Sequence, residues 1–211
     1  MARYMIENDS ESYRGFSVNV HHDSDCESPL SYDEAVRFVV LHNRYIDPSN
    51  GVCGSCPEAV LEWTADNQDE WFVLPLWLYD HSGTIYKPGA GNPFSCPWDS
   101  GQVGIIALRR EDFGYKNESD YLEAAKRICD SYTSWANGSC YGYTVTDDGG
   151  DEIASCWGFI GMDADASGLW EYATNEIDCE ISNRNRARVA TLKRLIRNRV
   201  PLDLRGDILA T

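Results

Sequence analysis

Two runs are nearly continuous in apolar and aromatic residues: Trp71–Tyr79 (WFVLPLWLY) and Gln102–Leu108 (QVGIIAL). Such short, unbroken apolar runs read as strands buried on both faces, the first a central strand and the second its antiparallel neighbour. Pro75 removes a ladder donor from the first run, which argues for an edge position or a bulge there. Between the runs lies a dense polar segment. It opens on Asp80-His81-Ser82-Gly83, passes through glycines and prolines, and closes on Phe94-Ser95-Cys96-Pro97-Trp98-Asp99-Ser100-Gly101. A loop so rich in chemistry, framed by aromatic and turn residues, is seldom a mere connector.

The flanking pattern supplies the rest of a fold. Phe16–Val20 alternates as a strand. Ser31-Tyr-Asp-Glu34 has the form of a capping box, and Val36, Val39, Val40 and Asn43 follow at helical spacing, which predicts a helix over about 32–44. The loop Asp47–Gly51 closes it, and Pro57 suits the first turn of a short helix to about Gln68. Asn117 or Ser119 caps a longer helix ending at Asn137-Gly138. Cys140–Thr146 and Ile153–Ile160 form a hairpin around Asp147–Asp151. A helix over about Leu169–Cys179 follows, then a separate basic helix over about Asn183–Asn198 closed by Pro201. These elements predict an α+β fold, a single globular domain over residues 1–211. It would hold a mostly antiparallel sheet of about five strands and four to five helices, with a basic C-terminal helical segment at about 181–200.

Charge is distributed unevenly. The formal net charge is −16; residues 181–211 carry +6 and residues 1–180 carry −22. A body that acidic repels nucleic acid and draws basic proteins toward it. The same acidity also serves solubility or life at high salt. The N-terminal MARYMIENDSESY lacks the apolar stretch of a secretory signal, and no run of about 18 apolar residues exists, so the expectation is a cytoplasmic protein with no membrane span. The eight scattered cysteines read as reduced thiols rather than as a disulfide framework.

Four constellations carry candidate chemistry. Cys96, His81 and Asp99 or Asp80 supply the residue types of a thiol nucleophile, its base and an orienting carboxylate. Against this, Pro97 removes a donor beside Cys96, and Asp80-His81-Ser-Gly suits a turn whose side chains serve the backbone. The same loop read as a recognition surface would use Tyr79, Ser82, Phe94, Trp98, Ser100 and Gln102. Cys53 and Cys56 form a CxxC that is a weak zinc candidate, with Cys26, His21, His22 and His42 as the available further ligands. Asp163-Ala-Asp165-Ala-Ser167-Gly168 imitates half a calcium loop, but Thr174 stands where the bidentate Glu belongs. No cofactor is expected. The basic segment holds Arg184, Arg186, Arg188, Lys193, Arg194, Arg197 and Arg199, with Val189, Leu192, Ile196 and Val200 at helical spacing. It suits phosphate contact, or packing on the acidic body of its own chain or of a second copy, which leaves a homo-oligomer open.

At Pro75-Leu-Trp-Leu-Tyr-Asp-His-Ser-Gly83, Pro93-Phe-Ser-Cys-Pro-Trp-Asp-Ser-Gly-Gln-Val-Gly104 and Ser155-Cys-Trp-Gly-Phe-Ile-Gly161, the sequence resembles an uncharacterised family of small proteins carried by bacteriophages and plasmids. Val39-Val-Leu-His42-Asn-Arg44-Tyr45 is a weaker echo of that family's N-terminal His-Arg-Tyr region. The resemblance implies a cytoplasmic accessory gene on a mobile element, and names no activity or catalytic residue. Combined with the acidic body, it gives the leading expectation: a non-enzymatic protein that binds and inhibits a basic, nucleic-acid-handling host or competitor protein, as a nucleic-acid mimic would. The alternatives are a Cys/His-dependent hydrolase or transferase acting on a small molecule at Cys96, and nucleic-acid binding through the C-terminal helix. Direct nucleic-acid binding is disfavoured by the charge of the remainder.

Overall fold

The computed structural model describes residues 4, 9–31, 33–42, 53, 56–202 and 204–205. Among them the fold is α+β, with two four-stranded antiparallel sheets and four helices. There are more strands than the sequence pattern predicts. The described residues divide into two compact units, one drawn from residues 23–140 and 160–162, the other from 1–22, 141–159 and 163–211.

The first unit is built on β3 (Val36–Val40), β4 (Trp71–Asp80), β5 (Thr84–Pro88) and β6 (Ser100–Arg109), in the order β3-β6-β4-β5. The two apolar runs are its inner strands and pair antiparallel, Trp71 opposite Arg109 and Tyr79 opposite Ser100. Helix α3 (Glu118–Ala136) covers one face through Tyr121, Ala125, Cys129 and Tyr132, which pack on Phe38, Leu76, Tyr86 and Ile106. On another cluster, Val60 of α1 (Pro57–Asn67) packs with Val39, Cys53 and Ile105. With both faces covered, an inner strand must be apolar at consecutive positions, so Val103 to Leu108 are buried without a break. Each such Ile or Leu contributes about 1.5–3 kcal/mol by leaving water. A single turn, α2 (Arg110–Phe113), links β6 to α3.

Pro75 lies on an inner strand and not at an edge. Its carbonyl accepts from Gly89 N at 3.1 Å, just past the end of β5, so the side where its missing donor would point lacks a strand partner. The ladder to β6 shifts register between Leu76 and Trp77, where Val103 is the extra residue on β6, while Pro75 itself pairs regularly with Ile105.

Several elements differ from expectation. The segment predicted as a helix over 32–44 contains β3 instead. Asp33 Oδ1 accepts from Ala35 N at 2.9 Å, a turn in place of a helix cap, and Val36, Phe38, Val39 and Val40 are all buried in a sheet. Valine and phenylalanine fit a pleated surface better than a helix, and Val36, Phe38 and Val40 satisfy period 2 as well as Val36, Val39 and Val40 satisfy a helical spacing. Residues 43–44 and the loop 47–51 lie outside the described residues. The stretch after Gly83, expected as loop, contains the edge strand β5.

The second unit holds β1 (Ser10–Tyr13), β2 (Phe16–His22), β7 (Cys140–Thr146) and β8 (Glu152–Ile160) in the order β1-β2-β7-β8, the last two forming the expected hairpin. Phe16, Val18, Tyr143, Val145 and Phe159 form a core with Leu169, Ala173 and Ile177 of α4 (Leu169–Arg197). The two helices expected over 169–198 are one continuous element of 29 residues, because Glu180 to Asn183 contain neither Gly nor Pro to break it. No helix among the described residues is long and apolar enough to cross a membrane.

Candidate recognition groove

The polar loop sits at the end of the first sheet where β4 stops and β6 starts. Asp80 N donates to Asp99 O at 2.8 Å, which closes the loop at its base. Asn92 organises the interior: its side-chain oxygen accepts from Phe94 N and its nitrogen donates to Ser100 Oγ, both at 2.9 Å. Ser100 Oγ in turn donates to Cys96 O. Phe94 stacks on Tyr79 at 5.5 Å between centroids, and Lys87 Nζ lies over the Phe94 ring. On the other side of the turn, Gly83 has φ +147° and Asn137 clamps Thr84 by accepting from its N at 2.9 Å and donating to its O at 2.7 Å. The loop is therefore held by several independent side-chain bonds.

Cys96, Asp99 and His81 do come together, in an order that the sequence could not specify. The Cys96 thiol donates to Asp99 Oδ2 at 3.3 Å, and His81 Nδ1 approaches the same oxygen at 3.5 Å. Thiol and imidazole thus share one oxygen of the carboxylate. A thiol nucleophile needs a base or a positive field beside its sulfur, and this arrangement offers it a negative one. Asp80 sits beside Asp99 on the wall of a polar groove of about 420 Å³ lined also by His42, Trp98, Ser100 and Gln102. Trp98 is 92% exposed, the most exposed large hydrophobic residue described. Gln102 donates to Gly104 O at 3.4 Å, and Ser82 is exposed in the turn. His42 also lines the groove, while Asn92 and Asn137 hold the loop and the turn beside it. Asn137 was legible only as a helix end, and nothing in Asn92's neighbours signalled its double role.

The opposite end of the same sheet is acidic. Asp33 and Glu34 before β3, Asp69 and Glu70 before β4, and Glu111 and Asp112 after β6 all gather there and are exposed. The nearby cations fold back onto rings: Arg37 and Arg109 each lie 5.0 Å from the Trp71 ring, and Arg110 lies over Phe72 and Tyr121. Arg109 also reaches Asp112 at 3.2 Å and Glu70 at 3.6 Å.

The remaining candidates are placed as follows. Cys53 is buried in a core cluster while Cys56 is exposed at the start of α1. Asp163 spends Oδ1 on the backbone N–H groups of Asp165 and Ala166, which is turn chemistry. Among the described residues no cluster of three metal-ligating side chains exists. Burial pushes the Cys140 thiol up to about 12, helped by a hydrogen bond with Cys26, and burial raises Cys129 well above the ordinary thiol range. On α4, Arg184 packs on its own unit: its Nη2 meets Asp147 Oδ2 at 3.1 Å, its Nε meets Glu180 at 2.6 Å, and its guanidinium lies over Phe16. Arg186 donates to Asn183, and Arg188, Lys193, Arg194, Arg197 and Arg199 are exposed.

Comparison of the chain with protein-family models, with curated proteins and with solved structures finds no match.

Proposed function

We propose that the protein is a non-enzymatic binder of a basic, nucleic-acid-handling protein, and that the groove at Trp98 is its recognition site. The observation that carries this reading is an almost fully exposed indole on the wall of a groove that also presents Asp80 and Asp99. An aromatic face beside carboxylates is a receptor for a guanidinium or ammonium group, which gains both cation–π attraction and charge-assisted hydrogen bonds. Large exposed aromatics anchor interfaces for the same reason that they are rare elsewhere on a surface. The acidic end of the sheet and the −22 charge of residues 1–180 add long-range attraction for a basic partner.

The resemblance of the Pro75–Gly104 region to phage- and plasmid-borne proteins supports the setting: an accessory protein in the cytoplasm of a bacterial host, occupying the site where a host or competitor defence protein handles nucleic acid. Titration against purified basic nucleic-acid-binding proteins of a bacterial host, at low and at high salt, tests the reading. Binding that weakens steeply with salt and is displaced by nucleic acid supports it. Absence of binding at low salt, or affinity indifferent to salt, overturns it.

A further inference from the structure

A helix of 29 residues is about 43 Å long, whereas the strands under α4 have seven to nine residues and span only about 23–30 Å. Its first half covers the sheet through Leu169, Ala173 and Ile177; its second half overhangs. Residues 182–190 are all exposed, and beyond them only Leu195 is buried within the helix. The overhang nevertheless carries an apolar stripe: Val189 is 50%, Leu192 37% and Ile196 53% exposed, at the 3-and-4 spacing of a helix–helix seam. Arg186, Lys193 and Arg197 flank the stripe on one side and Arg188 on the other, and residues 181–197 contain no carboxylate.

Such a seam calls for an apolar surface bordered by carboxylates. Pairing with the same stripe of another copy would set basic flank against basic flank. Duplex or single-stranded nucleic acid would leave the apolar stripe unused. The outer face of α1 has the complementary character. Leu61 is 70% exposed there, with Ala65 beside it, and Glu58, Glu62 and Asp66 border them in a helix without a single Lys or Arg. The 11 residues of α1 extend about 16 Å, enough to meet the Val189–Ile196 seam of about 10 Å.

We infer that the overhanging half of α4 docks on the outer face of α1 in a second copy of this chain, Val189, Leu192 and Ile196 against Leu61 and Ala65, with the basic flanks paired to Glu58, Glu62 and Asp66. The inference is independent of the groove at Trp98. Sedimentation of the full chain at low and high salt reads it, with K193E/R197E and E62K/D66K as the charge-reversed variants and Leu61→Asp and Leu192→Asp as the seam variants. Folding of each is checked by circular dichroism. The expected result is self-association of the wild type that weakens at least tenfold in high salt, is lost in each charge-reversed variant alone, and returns when the two are mixed. A wild type that stays monomeric at about 0.1 mM in low salt overturns the inference. So does association that survives Leu61→Asp, or a monomer whose α4 binds anionic vesicles or RNA instead.

Discussion

Asp99 Oδ2 accepts the thiol hydrogen of Cys96 at 3.3 Å. His81 Nδ1 approaches the same oxygen at 3.5 Å and makes no hydrogen bond to the sulfur, so its removal should not alter the sulfur's reactivity. His81→Ala is expected to leave the rate of Cys96 alkylation within about twofold of wild type, since no imidazole activates the thiol. Peptide-resolved labelling by mass spectrometry measures this. A slowing of tenfold or more in the variant would restore the hydrolase reading.

Buried thiols should lag behind. Cys129 and Cys140 are shielded and their thiolates are disfavoured by burial. In the same labelling series they should react only under denaturing conditions, while exposed Cys56 and Cys179 react first. Fast native labelling of Cys129 would contradict the core packing of α3.

Gly104 has no room for a side chain. A Cβ there would lie 1.8 Å from Val39 O on the neighbouring strand, a backbone atom that can give only by breaking the β3–β6 ladder. Gly104→Ala is expected to cost more than about 3 kcal/mol or to prevent folding, whereas Gly101→Ala, with open space at its Cβ, should cost under about 1 kcal/mol. Urea unfolding compares them, and equal stability of the two variants would refute the register.

Acid should act on the second unit through Asp147. Its bond to Arg184, then those from the Asp151 and Gly149 amides, hold its carboxyl below the usual range. A depressed folded value means that the contribution is present above the unfolded pKa of about 3.9 and is lost as pH falls through the folded value. Asp147→Asn should therefore lower stability at pH 7 and flatten its decline below about pH 4. An acid limb unchanged in the variant would show that the pair contributes nothing.

Much of this was legible in the sequence. The inner strands β4 and β6, the β7–β8 hairpin and helices α1 and α3 announced themselves because each is long enough for its pattern to exclude rivals. Segment 36–40 did not, since five residues satisfy two periods at once and the sheet that buries them is made by distant residues. Strand β5 was hidden because Thr84–Pro88 sits between glycine-rich turns and depends for its pairing on β4, Asn137 and Thr133. In the loop, the residue types could be named from the chain. That Cys96 and His81 both turn to Asp99 depends on the folded loop, closed by the Asp80–Asp99 backbone bond and the Asn92 bridge, contacts that no spacing encodes.

The central claim is that Trp98 and the carboxylates beside it hold a cationic group of a partner. Calorimetric titration of the protein with an arginine-rich peptide, comparing wild type with Trp98→Ala and with an Asp80→Asn/Asp99→Asn double variant, tests it most directly. Loss of an anchor of this kind corresponds to about 2 kcal/mol or more, so each variant should bind at least about thirtyfold more weakly, and wild-type affinity should fall as salt rises. Variants that bind the peptide as tightly as wild type would contradict the claim.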